Sequence, residues 1–226
     1  MSKQIGNSRI NGVLFDLDGT LVDTAPDLVC ALNLALKQYG YPTKSLDEVR
    51  DAASNGSLAL VNAAQPHLNN DEKRLLQQAL LHHYQTVNGE QAVFFDGIEP
   101  LLDYLKGQQI PCGIVTNKAA CFARPLLQRL NLIHQMPAIV SGDSTKYSKP
   151  HPAPMLLAAQ QIQRQPESII YLGDAKRDLE AARNSNMLGA IAMWGYIGKN
   201  DDPNFWPQDF MLQHPLELIS LLKNDI

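Results

Sequence analysis

Two aspartates, Asp16 and Asp18, stand one residue apart at the end of the apolar run Val13-Leu14-Phe15 and are followed by Gly19-Thr20. A β-branched and aromatic run closed by Asp and Gly predicts a buried parallel strand that stops where the carboxylates begin. Alternate strand residues share a face, so Asp16 and Asp18 project the same way, and Gly19 lets the chain turn. Two such carboxylates repel by about 4 kcal/mol at ~4 Å and an effective dielectric near ~20, unless a cation or a shared proton intervenes. A pair of this kind holds a metal, supplies a nucleophile or passes a proton.

Three further groups follow in the chain. Thr116-Asn117 comes directly after Ile114-Val115, and a hydroxyl with adjacent amides at a strand end can cradle phosphate oxygens. Lys118, next in line, is either a phosphate contact or a surface residue. Lys149 sits in Ser148-Lys149-Pro150-His151-Pro152, where an ammonium would neutralise a nucleophile and a transferring phosphoryl group. Gly173-Asp174 follows Ile169-Leu172, with Asp178 one turn into the helix that should come next. Oxygen ligands at such a crossing suit Mg²⁺, which takes one or two carboxylates and keeps several waters. Four carboxylates against Lys149 alone leave the empty site at −3, which is hostile to a phosphate dianion. Mg²⁺ brings it to −1, and a proton on Asp18 brings it to zero.

In this order and spacing, Asp16-Leu17-Asp18-Gly19-Thr20-Leu21-Val22-Asp23, Thr116-Asn117, Lys149-Pro150 and Gly173-Asp174 with Asp178 resemble the motifs of the haloacid dehalogenase-like hydrolase superfamily, in its phosphatase branch. The resemblance implies a phosphoric monoester hydrolase in which Asp16 attacks phosphorus and Asp18 is general acid and then base. It implies phosphate contacts at Thr116, Asn117 and Lys149. Mg²⁺ would be held by Asp16, the main-chain carbonyl of Asp18 and Asp174, with Asp178 reaching it through water or orienting Lys149. The dehalogenases themselves lack a carboxylate at the second position, so Asp18 favours phosphate chemistry. A receiver-type phosphoacceptor groups similar residues but needs about half this chain and has no place for Gly173-Asp174…Asp178. A phosphomutase shares all four motifs. Val115-Thr116-Asn117-Lys118 and Gly195-Tyr196-Ile197…Asp202-Pro203-Asn204…Trp206 resemble N-acetylmuramic acid 6-phosphate phosphatases, which sets the expected substrate. Phosphoglycolate phosphatase activity is the alternative.

The elements that must position these residues are legible as an α/β pattern. Helical periodicity runs over Pro26–Tyr39, from the capping box at Ser45–Glu48, over Ser57–Ala64 and over Asp71–Val87, with no convincing strand between Thr24 and Phe95. Strands and helices then alternate to the end of the chain, predicting a Rossmann-like core with a mainly parallel sheet. The expected division is a core of residues 1–24 and 95–226 with an inserted helical domain of residues 25–94, which resembles the type-1 cap of phosphoglycolate-phosphatase-like members. Ser54-Asn55-Gly56-Ser57, between two of these helices, is the candidate substrate-facing turn, and Arg50 is the nearest cation before it.

The composition, 45% hydrophobic and 19% charged, is that of an ordinary globular protein. A net charge of −4 and the lack of a Lys/Arg block argue against a nucleic-acid partner. Met1–Asn7 lacks a signal-peptide core, and no apolar stretch suggests a membrane span. Cys30, Cys112 and Cys121 are expected to be buried free thiols in a cytoplasmic protein, a monomer or small homo-oligomer acting on a small phosphorylated metabolite.

Overall fold

The computed structural model describes residues 10–198 and 201–224. Met1–Asn7, read above as lacking a signal-peptide core, lies outside the described residues. The first strand, β1 (Gly12–Phe15), is followed by a two-residue strand, β2 (Val22–Asp23). Four helices come next: α1 (Ala25–Gln38), α2 (Leu46–Val49), α3 (Ser57–Ala64) and α4 (Asn70–Val87). A second two-residue strand, β3 (Val93–Phe94), leads to α5 (Ile98–Gly107), β4 (Cys112–Val115), α6 (Ala120–Arg129) and β5 (Ala138–Val140). Then come α7 (Ala153–Gln161), β6 (Ile169–Gly173), α8 (Lys176–Asn184), β7 (Leu188–Ala192), β8 (Phe210–Leu212) and α9 (Glu217–Asn224).

Six strands form one sheet in the order β5-β4-β1-β6-β7-β8, and each pairing is parallel. Both faces are covered by helices, so β1 and β6 are buried along their whole length, which explains their unbroken apolar runs. The chain leaves β1 toward β4 and β5, then returns to place β6 on the other side of β1. That reversal opens a crevice beyond the carboxyl ends of β1, β4 and β6, where open α/β sheets bind ligands. Register brings these ends level, with Phe15 beside both Ile114 and Leu172.

The helices α1–α4 bury an apolar cluster of their own, built on Leu28, Leu32, Leu36, Leu60, Leu80 and Tyr84. Two capping boxes start α2 and α4, at Ser45–Glu48 and Asn69–Glu72. The strand expectation for this stretch needs correction. Val93–Phe94 pairs antiparallel with Val22–Asp23, tying the two ends of the helical segment together. Two residues are too short for a period of two to register, and Val93 is exposed, so the sequence carries no strand signal there.

The cysteines are free as expected, but their expected burial does not hold. Cys30 and Cys112 are half-buried and Cys121 is exposed, because α6 turns that position toward solvent. Among the described residues no helix is long and apolar enough to cross a membrane.

Candidate active site

The strand ends deliver the predicted residues to one place. Asp16 follows β1, Thr116 follows β4 and Asp174 follows β6, while Lys149 and Asp178 arrive from the loop after β5 and the first turn of α8. Lys149 Nζ lies 2.9 Å from Asp16 Oδ1 and 2.8 Å from Asp178 Oδ1, and its side chain is fully buried. It also donates to the Tyr171 hydroxyl at 2.7 Å, which in turn donates to the Val115 carbonyl. Tyr171 carries no motif, but a buried tyrosine in mid-strand needs a partner for its hydroxyl, and that is the one sequence signal for it. Asp178 accepts from the Ala175 main-chain N–H, so the same carboxylate caps α8 and holds the lysine.

Carboxylate oxygens of Asp16, Asp174 and Asp178 lie within 4.8 Å of one another, all three residues buried. Burial, then the charges of Asp178 and Asp16, push the Asp174 carboxyl up to about 7. Burial raises Asp16 as well, against the opposing pull of Lys149. Three buried carboxylates this close together supply hard oxygen donors that fit a divalent cation such as Mg²⁺. Two glycines make the crowding possible. A Cβ on Gly19, at φ +80°, would meet Asp174 Oδ2 at 2.1 Å, and one on Gly195 would meet Asp174 Cβ at 2.2 Å.

Asp18 stands apart from this cluster. Its Oδ1 accepts from Thr24 Oγ1 and from Lys118 Nζ, the latter at 2.9 Å. Lys118 also donates to the Tyr84 hydroxyl from α4 at 2.8 Å. Burial would depress the Lys118 ammonium, but Asp18 and Tyr84 hold its pKa above the ordinary range. Lys118 is therefore an ion-pair partner of Asp18. Thr116 Oγ1 accepts from the Lys118 N–H, which leaves its own proton free to be donated. The Asn117 side chain exchanges two 3.0 Å bonds with the main chain of Lys149, so it braces that loop.

A cavity of about 550 Å³ opens in front of Asp16 and Asp18. Thr116, Asn117 and Lys118 line its sheet side, and Ser54, Asn55, Gly56 and Ser57 line it from the helices. Leu28, Leu81, Tyr84 and Phe122 add an apolar wall. The turn also reaches across to the sheet. Ser54 Oγ sits 2.9 and 2.8 Å from the two Asp174 oxygens, and Arg177 donates to Asn55 Oδ1 and to the Ser54 carbonyl.

Arg50, the nearest cation before the turn, is engaged elsewhere: it pairs with Asp23 at 2.7 Å and lies 5.1 Å from the centre of the Tyr196 ring. The charge count changes, because Lys118 and Arg177 join Lys149. Three cations against four carboxylates leave −1 in place of −3, so a bound divalent ion gives +1. Arg177 was readable only as a basic residue inside the Gly173–Asp178 motif, with nothing in the sequence to say that it faces the helices. Tyr196, marked in the sequence only by its place in the Gly195-Tyr196-Ile197 segment, is buried and polar-bonded. Its hydroxyl accepts from the N–H groups of Thr24 and Ala25 at the start of α1 and donates to Asp23.

Comparison with known proteins agrees with this geometry. Residues 13–192 match the family model described as haloacid dehalogenase-like hydrolase. The chain is 38% identical over 206 residues to a phosphoglycolate phosphatase of Xanthomonas campestris pv. campestris, covering 91% of this chain and 93% of that one. It is 37% identical over 215 residues to an N-acetylmuramic acid 6-phosphate phosphatase of Pseudomonas aeruginosa, covering 95% of each. Among solved structures it resembles a predicted phosphoglycolate phosphatase from Haemophilus somnus, with TM-score 0.83, 26% identity and coverage of 96% and 99%. With most of its length matched by the family model and nearly all of it by phosphatases, the chain belongs to the haloacid dehalogenase-like hydrolases and is a phosphatase.

Proposed function

We propose that this phosphatase hydrolyses a small phosphorylated metabolite through an aspartyl-phosphate on Asp16, with N-acetylmuramic acid 6-phosphate as the best-fitting substrate. The observation that carries the reading is the placement of Asp16, ion-paired to a fully buried lysine, beside Asp18 at the mouth of one cavity. Asp16 attacks phosphorus, and Asp18 delivers the proton that the departing alkoxide needs. Asp18 then takes a proton from the water that opens the acyl phosphate. Thr116 binds phosphoryl oxygens through its free proton, and Lys149 offsets charge on Asp16 as it becomes a leaving group. Asp16, Asp174, Asp178 and the main-chain carbonyl of Asp18 would hold Mg²⁺, which when bound supplies charge neutralisation for the transferring phosphoryl group.

The helical segment 25–94 acts as a cap domain over a core of residues 1–24 and 95–226, with Ser54, Asn55, Gly56 and Ser57 facing the leaving group. A cavity of about 550 Å³ falls in the ~300–1,000 Å³ range of sites that take sugar-sized ligands, and a two-carbon acid would fill little of it. 2-Phosphoglycolate is the second reading, because a relative of equal similarity is named for it. Three free cysteines support action in the cytoplasm. A phosphate-release screen over phosphosugars, 2-phosphoglycolate and nucleotides, with and without Mg²⁺, tests the reading. The expected result is the highest kcat/KM on N-acetylmuramic acid 6-phosphate. A tenfold preference for 2-phosphoglycolate, about 1.4 kcal/mol of transition-state binding, would overturn the sugar assignment.

A further inference from the structure

Two cations line the cavity, and their partners differ in kind. Lys118 is matched by the Asp18 carboxylate. Arg177 is half-buried and makes no direct ion pair among the described residues, the Asp178, Asp16 and Asp174 carboxylates acting on it only at longer range. Its hydrogen-bond partners are neutral: the Asn55 amide oxygen at 3.0 Å and the Ser54 carbonyl at 2.7 Å. These use two of the five N–H donors of a guanidinium, so further donors are left for a ligand. A planar guanidinium matches a carboxylate with two parallel, charge-assisted hydrogen bonds, which are stronger than its bonds to neutral oxygens. The side chain also sits where sheet and helices meet, beside the turn that faces the leaving group.

We infer that Arg177 is the specificity-determining residue for a carboxylate carried by the leaving group. This rests on the proposed phosphatase reading of the same site and deepens it. Both substrates considered above carry such a group, on the lactyl ether of the sugar and on the glycolate. One subsite would thus serve either, while the volume and the apolar wall separate large from small. An acid seated on Arg177 would touch core and cap at once, since the guanidinium already holds Ser54 and Asn55.

The test compares wild type, Arg177→Gln and Arg177→Lys on two pairs that differ chiefly in the carboxylate. These are N-acetylmuramic acid 6-phosphate against N-acetylglucosamine 6-phosphate, and 2-phosphoglycolate against ethyl phosphate. In parallel, each protein is titrated calorimetrically with free N-acetylmuramic acid and free N-acetylglucosamine. Wild type should favour the acid by tenfold or more in kcat/KM in at least one pair. Arg177→Gln should bring that preference within threefold by losing activity on the acid, and Arg177→Lys should fall between. Equal losses on both members, which is what a loosened Ser54–Asn55 contact alone would cause, overturn the inference, as does an unchanged preference. If no phosphate ester in either pair is turned over, the substrate reading fails and the titration alone decides. An Arg177-dependent preference for the free acid then sustains the inference, and no preference removes it.

Discussion

The two walls of the cavity are built differently. The sheet wall holds its polar groups with buried, mutually dependent contacts: Lys149 is fixed by Asp16, Asp178 and Tyr171 with no solvent on its side chain. The helical wall rests on its own apolar cluster and touches the sheet's chemistry through a few polar bonds, at Ser54, Asn55 and Tyr84. Groups that must sit within tenths of an ångström of reacting atoms are placed on strand ends and locked by neighbours. The groups on the opposite side of the cavity are placed on the helical segment, whose two ends are tied by the β2–β3 ribbon. Substitutions on the sheet wall should therefore abolish chemistry, whereas those on the helical side should change selectivity or stability by smaller amounts.

The largest effect is expected at Asp16. Asp16→Asn keeps the shape but removes the attacking oxygen anion, and turnover should fall on the order of 10⁴-fold or more. Circular dichroism and the melting temperature should show a folded protein. Turnover within tenfold of wild type would move the nucleophile elsewhere and erase the contrast between the walls.

The cluster of Asp16, Asp174 and Asp178 gives the next test. Activity should be lost on chelation and return with Mg²⁺. The folded protein holds the Asp174 proton up to about pH 7, whereas an unfolded chain releases it near ~4. The folded state thus binds more protons in this window, and the stability that Asp174 contributes is lost as pH rises through it. Metal-free wild type should lose more melting temperature between those pH values than Asp174→Asn, by on the order of 5 °C. Saturating Mg²⁺ should reverse the loss, since an ion that binds only the folded state stabilises it. Identical pH slopes for the two proteins would show that Asp174 is not strained by its neighbours.

Much of the sheet wall was legible in the sequence because its signals are local. Apolar runs end in Asp16, Thr116 and Asp174, and a strand that ends in a polar residue points it at the crevice. The helices were legible through their period and, at Ser45, a capping box, whereas the matching box at Asn69 emerges only in the structure. What escaped was everything decided between segments far apart in sequence. Lys118 could not be assigned to Asp18, nor Arg50 to Asp23, because a cation next to a motif carries no sign of which acid it will meet. Nothing local in the sequence tells that the Tyr196 hydroxyl will lie 2.7 Å from the Thr24 N–H, 172 residues away.

That tyrosine supplies a smaller effect at the seam between the walls. The Thr24 hydroxyl is spent on Asp18, so α1 starts without a side-chain cap of its own and takes the Tyr196 oxygen as its acceptor. Tyr196→Phe leaves those two N–H groups without their partner, which costs about 1–3 kcal/mol by urea denaturation. Chemistry should survive, with kcat on an activated aryl phosphate within fivefold of wild type. A fall in kcat comparable to that of Asp16→Asn would mean that the seam belongs to the catalytic wall.

The smallest effect should come from Arg50. Its ion pair with Asp23 is partly solvated on both sides, and its guanidinium lies 5.1 Å from the Tyr196 ring centre. Exposed pairs contribute about 0–1 kcal/mol, and a cation–π contact at such a site about 0.5–1 kcal/mol. Arg50→Gln should thus lower stability by roughly 1 kcal/mol and leave kcat/KM within threefold on acidic and neutral phosphate esters alike. The sequence alone had made this residue the nearest cation to the substrate-facing turn, a role that would instead predict a tenfold or larger loss confined to acidic substrates. Steady-state kinetics on N-acetylmuramic acid 6-phosphate and N-acetylglucosamine 6-phosphate separates the two. A selective loss on the acid would place the anion-reading cation on the helices, and a uniform, minor change would leave that task to the sheet wall.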